Sequence, residues 1–437
     1  MSVQQDHKPK WKIIGPGLVV AATGVGSADM VATLVAGSNY GYMLLWAVVL
    51  GVILKIVLVE GAGRYTVATG KTIFEGWRTL GRWPVWYFAP YIVIWGFVYA
   101  ASAMSSTAMP IAALLNEVPA FEGTVFVELW PWAIITGLLG FVLVWFNRYK
   151  TFEKITAALV GLMFITIVVL AFIAAPNVLN VLSGLVPLLP EGDNAIFYTL
   201  GLAGGVGGTI TLAAYGYWLR EKGWDKPQFM RVMRIDNTMA YVVTGIFVIA
   251  MLIVGVEVVQ AAGVAIQSGD AGLLDLDRVL RERYGDFLGI WFLIGFWAAG
   301  FSSVLGVWNG VSLMFADFMG NVTGKGSDHP DSRLDGKWFR AYLIWLTFPP
   351  MILVVLTGIF GVAQPFFLVL LYGALGALFM PFLAITLLPI LNTDRVPREY
   401  RNRWHTNTAL VITTVVFVAL GIYQLINALK PLWETAG

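Results

Sequence analysis

Asp29 closes the stretch Gly24-Val25-Gly26-Ser27-Ala28-Asp29, which lies inside an otherwise apolar segment running from about Ile13 to Gly37. A carboxylate is a hard oxygen ligand, and backbone carbonyls released by glycine are of the same kind, so this stretch has the makings of a small hard-cation centre. Its setting is costly. An ionised Asp at the centre of a bilayer is disfavoured by about 2.5–3.5 kcal/mol even on a lenient insertion scale, and each glycine weakens a helix interior by roughly 1 kcal/mol relative to alanine. A lipid-facing helix has no use for either feature. A helix that opens at mid-membrane and turns its carbonyls toward a cargo uses both.

A second stretch repeats the anomaly. Gly201-Leu-Ala-Gly204-Gly205-Val-Gly207-Gly208-Thr209-Ile-Thr211 places five glycines within eight residues, too many for an uninterrupted helix.

These two stretches must be carried by membrane-spanning elements. Of 437 residues, 58% are hydrophobic and 12% charged, against about 25% charged in soluble domains. The apolar runs are about 20 residues or longer, the length of a spanning helix rather than of a barrel strand. Eleven spans are expected, near 13–37, 41–63, 84–114, 130–146, 155–175, 194–219, 236–260, 285–316, 341–360, 363–391 and 406–429. All but five of the 28 Lys and Arg then fall on the side of the N-terminus, for example Arg220, Lys222, Lys226, Arg231 and Arg234; the exceptions are Arg278, Arg281, Arg283, Lys430 and Lys55. The positive-inside rule therefore puts the N-terminus in the cytoplasm and the C-terminus outside, in a multi-pass protein of the cell membrane. The N-terminal segment, with Lys8, Lys10 and Lys12, runs directly into a full span and gives no sign of a cleavable signal.

The broken stretches lie in the first and sixth spans, five spans apart, so they cross in opposite directions. Interruptions at matching places of two inverted halves point to a transport site at mid-depth. Other chemistries are disfavoured. The chain has no cysteine, and its three histidines (His7, His329 and His405) lie in cytoplasmic segments. With no catalytic pair of carboxylates in any span, an enzyme is not expected, nor is a cofactor or a nucleic-acid partner. The longest connections are about 257–284 and 317–340; the second holds Asp328, His329, Asp331 and Asp335 but also cations that compete with any bound ion, so a solvated loop is expected.

Lys55 is the one cation within a span. At 1.5 Å per residue it lies about 21 Å below the external end of its span and Asp29 about 12 Å below its own. That gap of roughly 9 Å exceeds a lysine's reach, so Lys55 is expected to snorkel toward the cytoplasmic surface. Were it to pair with Asp29, a neutral or zwitterionic cargo would suit the site better. Glu60 and Arg64, four residues apart, are expected to form an interfacial pair.

Several motifs resemble the Nramp family of metal-ion transporters. They are Gly15-Pro16-Gly17, Ala36-Gly37 followed by Tyr40-Gly41-Tyr42-Met43-Leu44-Leu45-Trp46, Arg64 with Ala68-Thr69-Gly70-Lys71, Ala298-Ala299-Gly300-Phe301-Ser302-Ser303, and Met380-Pro381-Phe382. The resemblance covers nearly the whole chain. It implies an all-α fold of the LeuT type, a single transporter domain over 1–437. Its two inverted five-span repeats would occupy about 13–175 and 194–391, with broken first and sixth helices and one extra helix at about 406–429.

The chain departs from the family where the cargo binds. The family's first-span motif is Asp-Pro-Gly-Asn, and the same register here reads Gly26-Ser27-Ala28-Asp29. The sixth-span Ala-x-x-Met-Pro-His becomes Gly208-Thr209-Ile210-Thr211-Leu212-Ala213. The third-span acids are replaced around Ala103-Met104-Ser105-Ser106, and the tenth-span glutamine aligns with Gly373. Loss of a thioether and gain of hydroxyls favour a harder ion. The expected site is Asp29, the Gly26 and Gly208 carbonyls, Thr211 and Thr209, with Asn309 of the eighth span ordering hydration water or bonding a neighbouring helix. This pattern is similar to that of Nramp-related magnesium transporters. The function expected is alternating-access transport of a divalent cation, Mg²⁺ or Mn²⁺, by a monomer without proton coupling. The alternative is a LeuT-fold carrier of a small polar solute such as an amino acid, and a scaffold that transports nothing would use the glycines for packing alone.

Overall fold

A computed structural model of the chain describes residues 15–116, 118, 124–146, 149–174, 176–191, 195–204, 207–260, 271–361 and 365–434. Lys8, Lys10, Lys12, Gly205 and the segment 261–270 lie outside the described residues.

The described residues are helical, with short connections. The first apolar segment is two helices. α1 (Pro16–Thr23) starts with proline in its first turn, where no amide donor is missed, and α2 (Ser27–Tyr40) restarts behind Gly26 as its N-cap. A 3-10 turn over Gly41–Leu44 leads into α3 (Leu45–Thr69), which Gly70 stops with φ +71°. A short α4 (Ile73–Arg78), capped reciprocally by Thr72 and Glu75, precedes α5 (Trp83–Asn116), α6 (Leu129–Phe146) and α7 (Tyr149–Ile173). After α8 (Val178–Ser183), the glycine-rich segment is again split, into α9 (Ala195–Gly204) and α10 (Thr211–Glu221). Then follow α11 (Met230–Val254), α12 (Ala271–Tyr284), α13 (Asp286–Val322), α14 (Lys337–Phe360), α15 (Pro365–Asn392) and α16 (Trp404–Glu434).

Among the described residues, seven helical stretches are long and apolar enough to cross a membrane. Their burial sorts them. The apolar windows of α5 and α13 are 83% and 78% buried, those of α6 and α14 only 33%. α5 and α13 are therefore central, and α6 and α14 present side chains such as Leu139, Phe146, Ile352 and Phe360 outward. Such a surface is a liability in water and is what lipid requires.

α3 lies alongside the split pair α9–α10. A Cβ at Gly51 would sit 2.4 Å from the Ala203 oxygen, the Lys55 side chain abuts Gly207, and Gly63 faces the Tyr215 ring at 2.8 Å. The sequence separation is the same in all three pairs, so the two segments run parallel and in step, as expected for the second and sixth spans. Glycine permits the close approach.

Candidate functional site

The two breaks meet. The Gly207 amide donates to the Gly24 carbonyl at 2.6 Å, and the Tyr241 hydroxyl donates to the Gly207 carbonyl at 3.1 Å. Gly207 and Gly208 have φ of +97° and +93°, a region open to glycine and rarely to other residues. A Cβ on Gly24 would lie 2.1 Å from the Gly207 carbonyl carbon. The helix is therefore interrupted at both breaks, where glycine alone allows the close approach at Gly24 and the positive φ at Gly207 and Gly208.

Asp29 sits in the first turn of α2, where its charge suits the helix dipole. Its Oδ2 accepts from the Gly26 amide at 3.0 Å, and the Gly26 carbonyl accepts the first intrahelical bond from Met30 at 3.1 Å. The expectation of a freed Gly26 carbonyl is thus corrected: Gly26 is a helix cap, and its carbonyl belongs to the helix.

Beside Asp29 is a cavity lined by hydroxyls: Ser27 of α2, Tyr99, Ser102 and Ser106 of α5, Ser303 of α13 and Tyr372 of α15. Its room is about 10 Å³, close to the least that admits one water-sized species. Ser303 donates to the Thr23 carbonyl at 2.9 Å and lies 2.7 Å from the Tyr99 hydroxyl, while Ser27 and Ser106 hydroxyls are 2.5 Å apart. The Ser102 hydroxyl is buried with no hydrogen-bond partner. An orphaned donor-acceptor beside a buried carboxylate is costly unless a ligand satisfies it, and it fits an oxygen-seeking cation.

The sixth-span residues divide. The Thr209 side chain packs against Gly376 of α15, where a Cβ would be 2.6 Å from its Cγ2, four residues beyond the cavity's Tyr372. Thr211 has a buried hydroxyl with no partner, pressed under Gly208, where a Cβ would be 2.8 Å from its Oγ1. Asn309 is not at the cavity; its Oδ1 accepts from the Trp218 indole at 2.8 Å and ties α13 to α10. Its role as an orderer of cargo water is replaced by the helix-bonding one. Glu60 is interfacial as expected, paired with Arg64 at 3.1 Å and with Arg234 at 2.9 Å.

Lys55 overturns its expectation. It does not snorkel: it is fully buried, with its Nζ 3.4 Å from where a Gly207 Cβ would be. The error lies in the depth count. Residues 41–44 form a 3-10 turn between α2 and α3 rather than α-helix, so Lys55 is ten residues beyond Leu45 and Asp29 eleven before Tyr40. Both lie about 15 Å below one turn.

Two features went unread in the sequence. The cavity hydroxyls at Tyr99, Ser102 and Ser106 follow an i, i+3, i+7 pattern that marks one face of α5. Asp236, at the start of an apolar segment, accepts from the amides of Gly15 (3.1 Å) and Gly17 (2.6 Å) and from the Tyr215 hydroxyl (2.9 Å). It holds the start of α1 to α10 and α11. Lys222 and Glu153 form an ion pair at 2.5 Å, and the Lys222 ammonium lies over Gly15.

In the loop after α13 the acids are matched by cations, as expected: Asp331 with Lys325 at 2.7 Å, and Asp328 with Arg220 at 2.8 Å. The hydrogen bond from Lys325 holds the Asp331 carboxyl below its ordinary pKa. Among the described residues no three His, Asp or Glu side chains are grouped as a metal site.

The comparisons bear on this geometry. The family model described as natural resistance-associated macrophage protein-like (Nramp) matches residues 17–427. The divalent metal cation transporter MntH of Erwinia tasmaniensis is 26% identical over 319 residues, covering 70% of this chain and 72% of the relative. The MntH of Klebsiella pneumoniae (strain 342) is 25% identical over 284 residues, covering 63% of this chain and 64% of the relative. Among solved structures, a variant of the Eremococcus coleocola manganese transporter superposes with a TM-score of 0.77 at 16% identity, over 99% of this chain and 90% of that one. MhsT in complex with L-phenylalanine gives 0.60 at 16% identity, over 93% and 97%.

Proposed function

This chain belongs to the Nramp family, and we propose that it carries a divalent cation, Mg²⁺ or Mn²⁺, across the cell membrane by alternating access and without proton coupling. The observation that carries this reading is the hydroxyl-lined cavity around Asp29, beside the junction of the two breaks. A carboxylate with hydroxyl oxygens suits hard cations. The relatives named as divalent metal cation and manganese transporters support a divalent cargo, while the Thr211 hydroxyl where the family places a thioether, and Ala213 where it places an imidazole, support the harder choice. Room of about 10 Å³ does not admit an amino acid.

Membrane topology in this reading is eleven spans in two inverted sets of five plus α16, N-terminus inside and C-terminus outside. In this reading the carrying unit is a monomer. A proton relay needs titratable groups, and around the cavity α5 offers serines where the family has acids. An inside-negative potential of 100 mV supplies about 4.6 kcal/mol for a divalent ion, twice the single-charge value, so passive uptake has a sufficient driving force.

The test is uptake into proteoliposomes containing Mg²⁺- and Mn²⁺-sensitive dyes, with and without a proton gradient. Flux that Asp29→Ala abolishes and that a proton gradient leaves unchanged is the expected result. Ion flux insensitive to Asp29→Ala would remove the site, and acidification of the lumen in step with the metal would remove the uncoupled mechanism.

A further inference from the structure

An alternating-access carrier changes face twice per cycle, once loaded and once without cargo. When loaded, the dication compensates Asp29. Without cargo, closing the protein over a lone carboxylate carries a desolvation penalty that opposes the return step. Lys55 stands where it can relieve that penalty. It is fully buried, with its ammonium beside the backbone of Gly207 at the sixth-span break, and Gly207 bonds Gly24, five residues before Asp29. Tyr241, which bonds the Gly207 carbonyl, flanks the same position: its ring carbon is 3.5 Å from where a Gly207 Cβ would lie. The nearest acid further along α3, Glu60, is committed to Arg64 and Arg234.

We propose that Lys55 is a tethered counter-cation: from its place at the junction of the two breaks its ammonium offsets the charge of Asp29 when no cargo is bound and is outcompeted when the divalent ion enters. The inference rests on the carrier reading above. It has two consequences. Lys55 competes with the cargo and sets a lower affinity than the ligands alone would give. It also allows the carrier to return without cargo, so the protein supports net one-way flux rather than one-for-one exchange.

The experiment uses the full chain in proteoliposomes, as wild type, Lys55→Met, Lys55→Gln and Lys55→Arg. Three quantities are measured: Mn²⁺ binding by titration calorimetry, net Mn²⁺ uptake under an inside-negative potential, and exchange of labelled for unlabelled Mn²⁺ with the ion on both sides. Methionine keeps the length of the side chain and removes its charge; glutamine replaces it if the methionine variant fails to elute as folded protein. The expected result is binding tighter by roughly tenfold, exchange within about twofold of wild type, and net uptake reduced by about tenfold or more. Lys55→Arg should keep net uptake.

Unchanged affinity and net uptake in the neutral variants would overturn the role of Lys55 while leaving the carrier reading intact. Loss of exchange together with net uptake in folded neutral variants would also overturn it, because Lys55 would then be needed with cargo bound. Absence of Mg²⁺ and Mn²⁺ binding and flux in the wild type and all variants would overturn the carrier reading and this inference with it.

Discussion

The amide of Gly207 reaches the carbonyl of Gly24 across 2.6 Å, tying the interruption between α1 and α2 to the one between α9 and α10. The bond joins segments more than 180 positions apart in sequence and places the two helix interruptions in contact. Neither glycine can gain a side chain freely: a Cβ on Gly24 would stand 2.1 Å from the Gly207 carbonyl carbon, and Gly207 has φ of +97° with Lys55 and Tyr241 packed against it.

Gly24→Ala should therefore separate the two breaks. An overpacked backbone contact costs about 1–3 kcal/mol or more, so the variant should melt several degrees below wild type in detergent and lose divalent-ion flux. Gly161→Ala is the control, since a Cβ there meets nothing within 4 Å and the helix interior gains about 1 kcal/mol from alanine. Equal melting temperatures for Gly24→Ala and wild type would show that the breaks do not depend on this contact.

Asp29 has two roles that two substitutions separate. Its Oδ2 caps α2 through the Gly26 amide, and its charge is the anionic ligand of the proposed site. Asn keeps a capping oxygen, whereas Ala loses the cap at a cost of about 1 kcal/mol. Asp29→Asn should retain wild-type stability within a few tenths of a kcal/mol and lose Mg²⁺ and Mn²⁺ binding in calorimetry. If Asp29→Asn still binds either ion, the carboxylate is a cap and no more.

How far these relationships could be read from sequence depends on whether they run along the chain or across it. The breaks were legible because glycine clusters and a buried carboxylate conflict with a lipid-facing helix whatever the neighbours. The Glu60–Arg64 pair was legible because its spacing is local. The hydroxyls of Ser102, Ser106 and Ser303 were not, because serine in a membrane helix commonly bonds its own backbone, as Ser106 does to the Ser102 carbonyl at 2.8 Å. Such a residue gives no sign of the face it lines. Asn309 chose Trp218, a partner only the packing of α13 on α10 could supply. Lys55 was misplaced by a four-residue turn, Gly41–Leu44, counted as helix; that shift moved it one helical turn too deep.

Thr211 offers a test in which stability and binding move in different directions. Its hydroxyl is buried and has no partner, so Thr211→Val removes a polar atom that gains nothing from the protein. Stability should be unchanged or rise by about 1 kcal/mol. If Oγ1 is a cargo ligand, Mg²⁺ affinity should fall by roughly tenfold, equivalent to about 1.4 kcal/mol. Thr211→Met should raise Mn²⁺ flux relative to Mg²⁺ flux, since a thioether favours the softer ion. Unaltered affinity in Thr211→Val would confine the ligands to the Asp29 side of the junction.

Asn309→Ala should behave in the opposite way. Its loss leaves the Trp218 indole donor buried without an acceptor, a cost of about 1–3 kcal/mol, while the cation-binding constant stays within about twofold of wild type. A larger fall in affinity than in stability would return Asn309 to the cargo path.

On the basic side of the molecule Asp236 ties the start of α1 to α10 and α11. Its carboxylate accepts from the first amides of α1, at Gly15 and Gly17, and from Tyr215 just beyond the start of α10. Each bond to a charged acceptor contributes about 1.5–3 kcal/mol, and an amide oxygen cannot accept all three as well as a carboxylate does. Asp236→Asn should therefore loosen α1 and raise the population of the state open on that side by about tenfold or more. The chain has no cysteine, so one placed at Val19, buried on α1, is a clean reporter. Val19→Cys should react slowly with a membrane-impermeant maleimide in the otherwise wild-type protein, and about tenfold faster with Asp236→Asn. Equal rates would mean that α1 does not move against α11, and that opening on this side occurs at a different pair of helices.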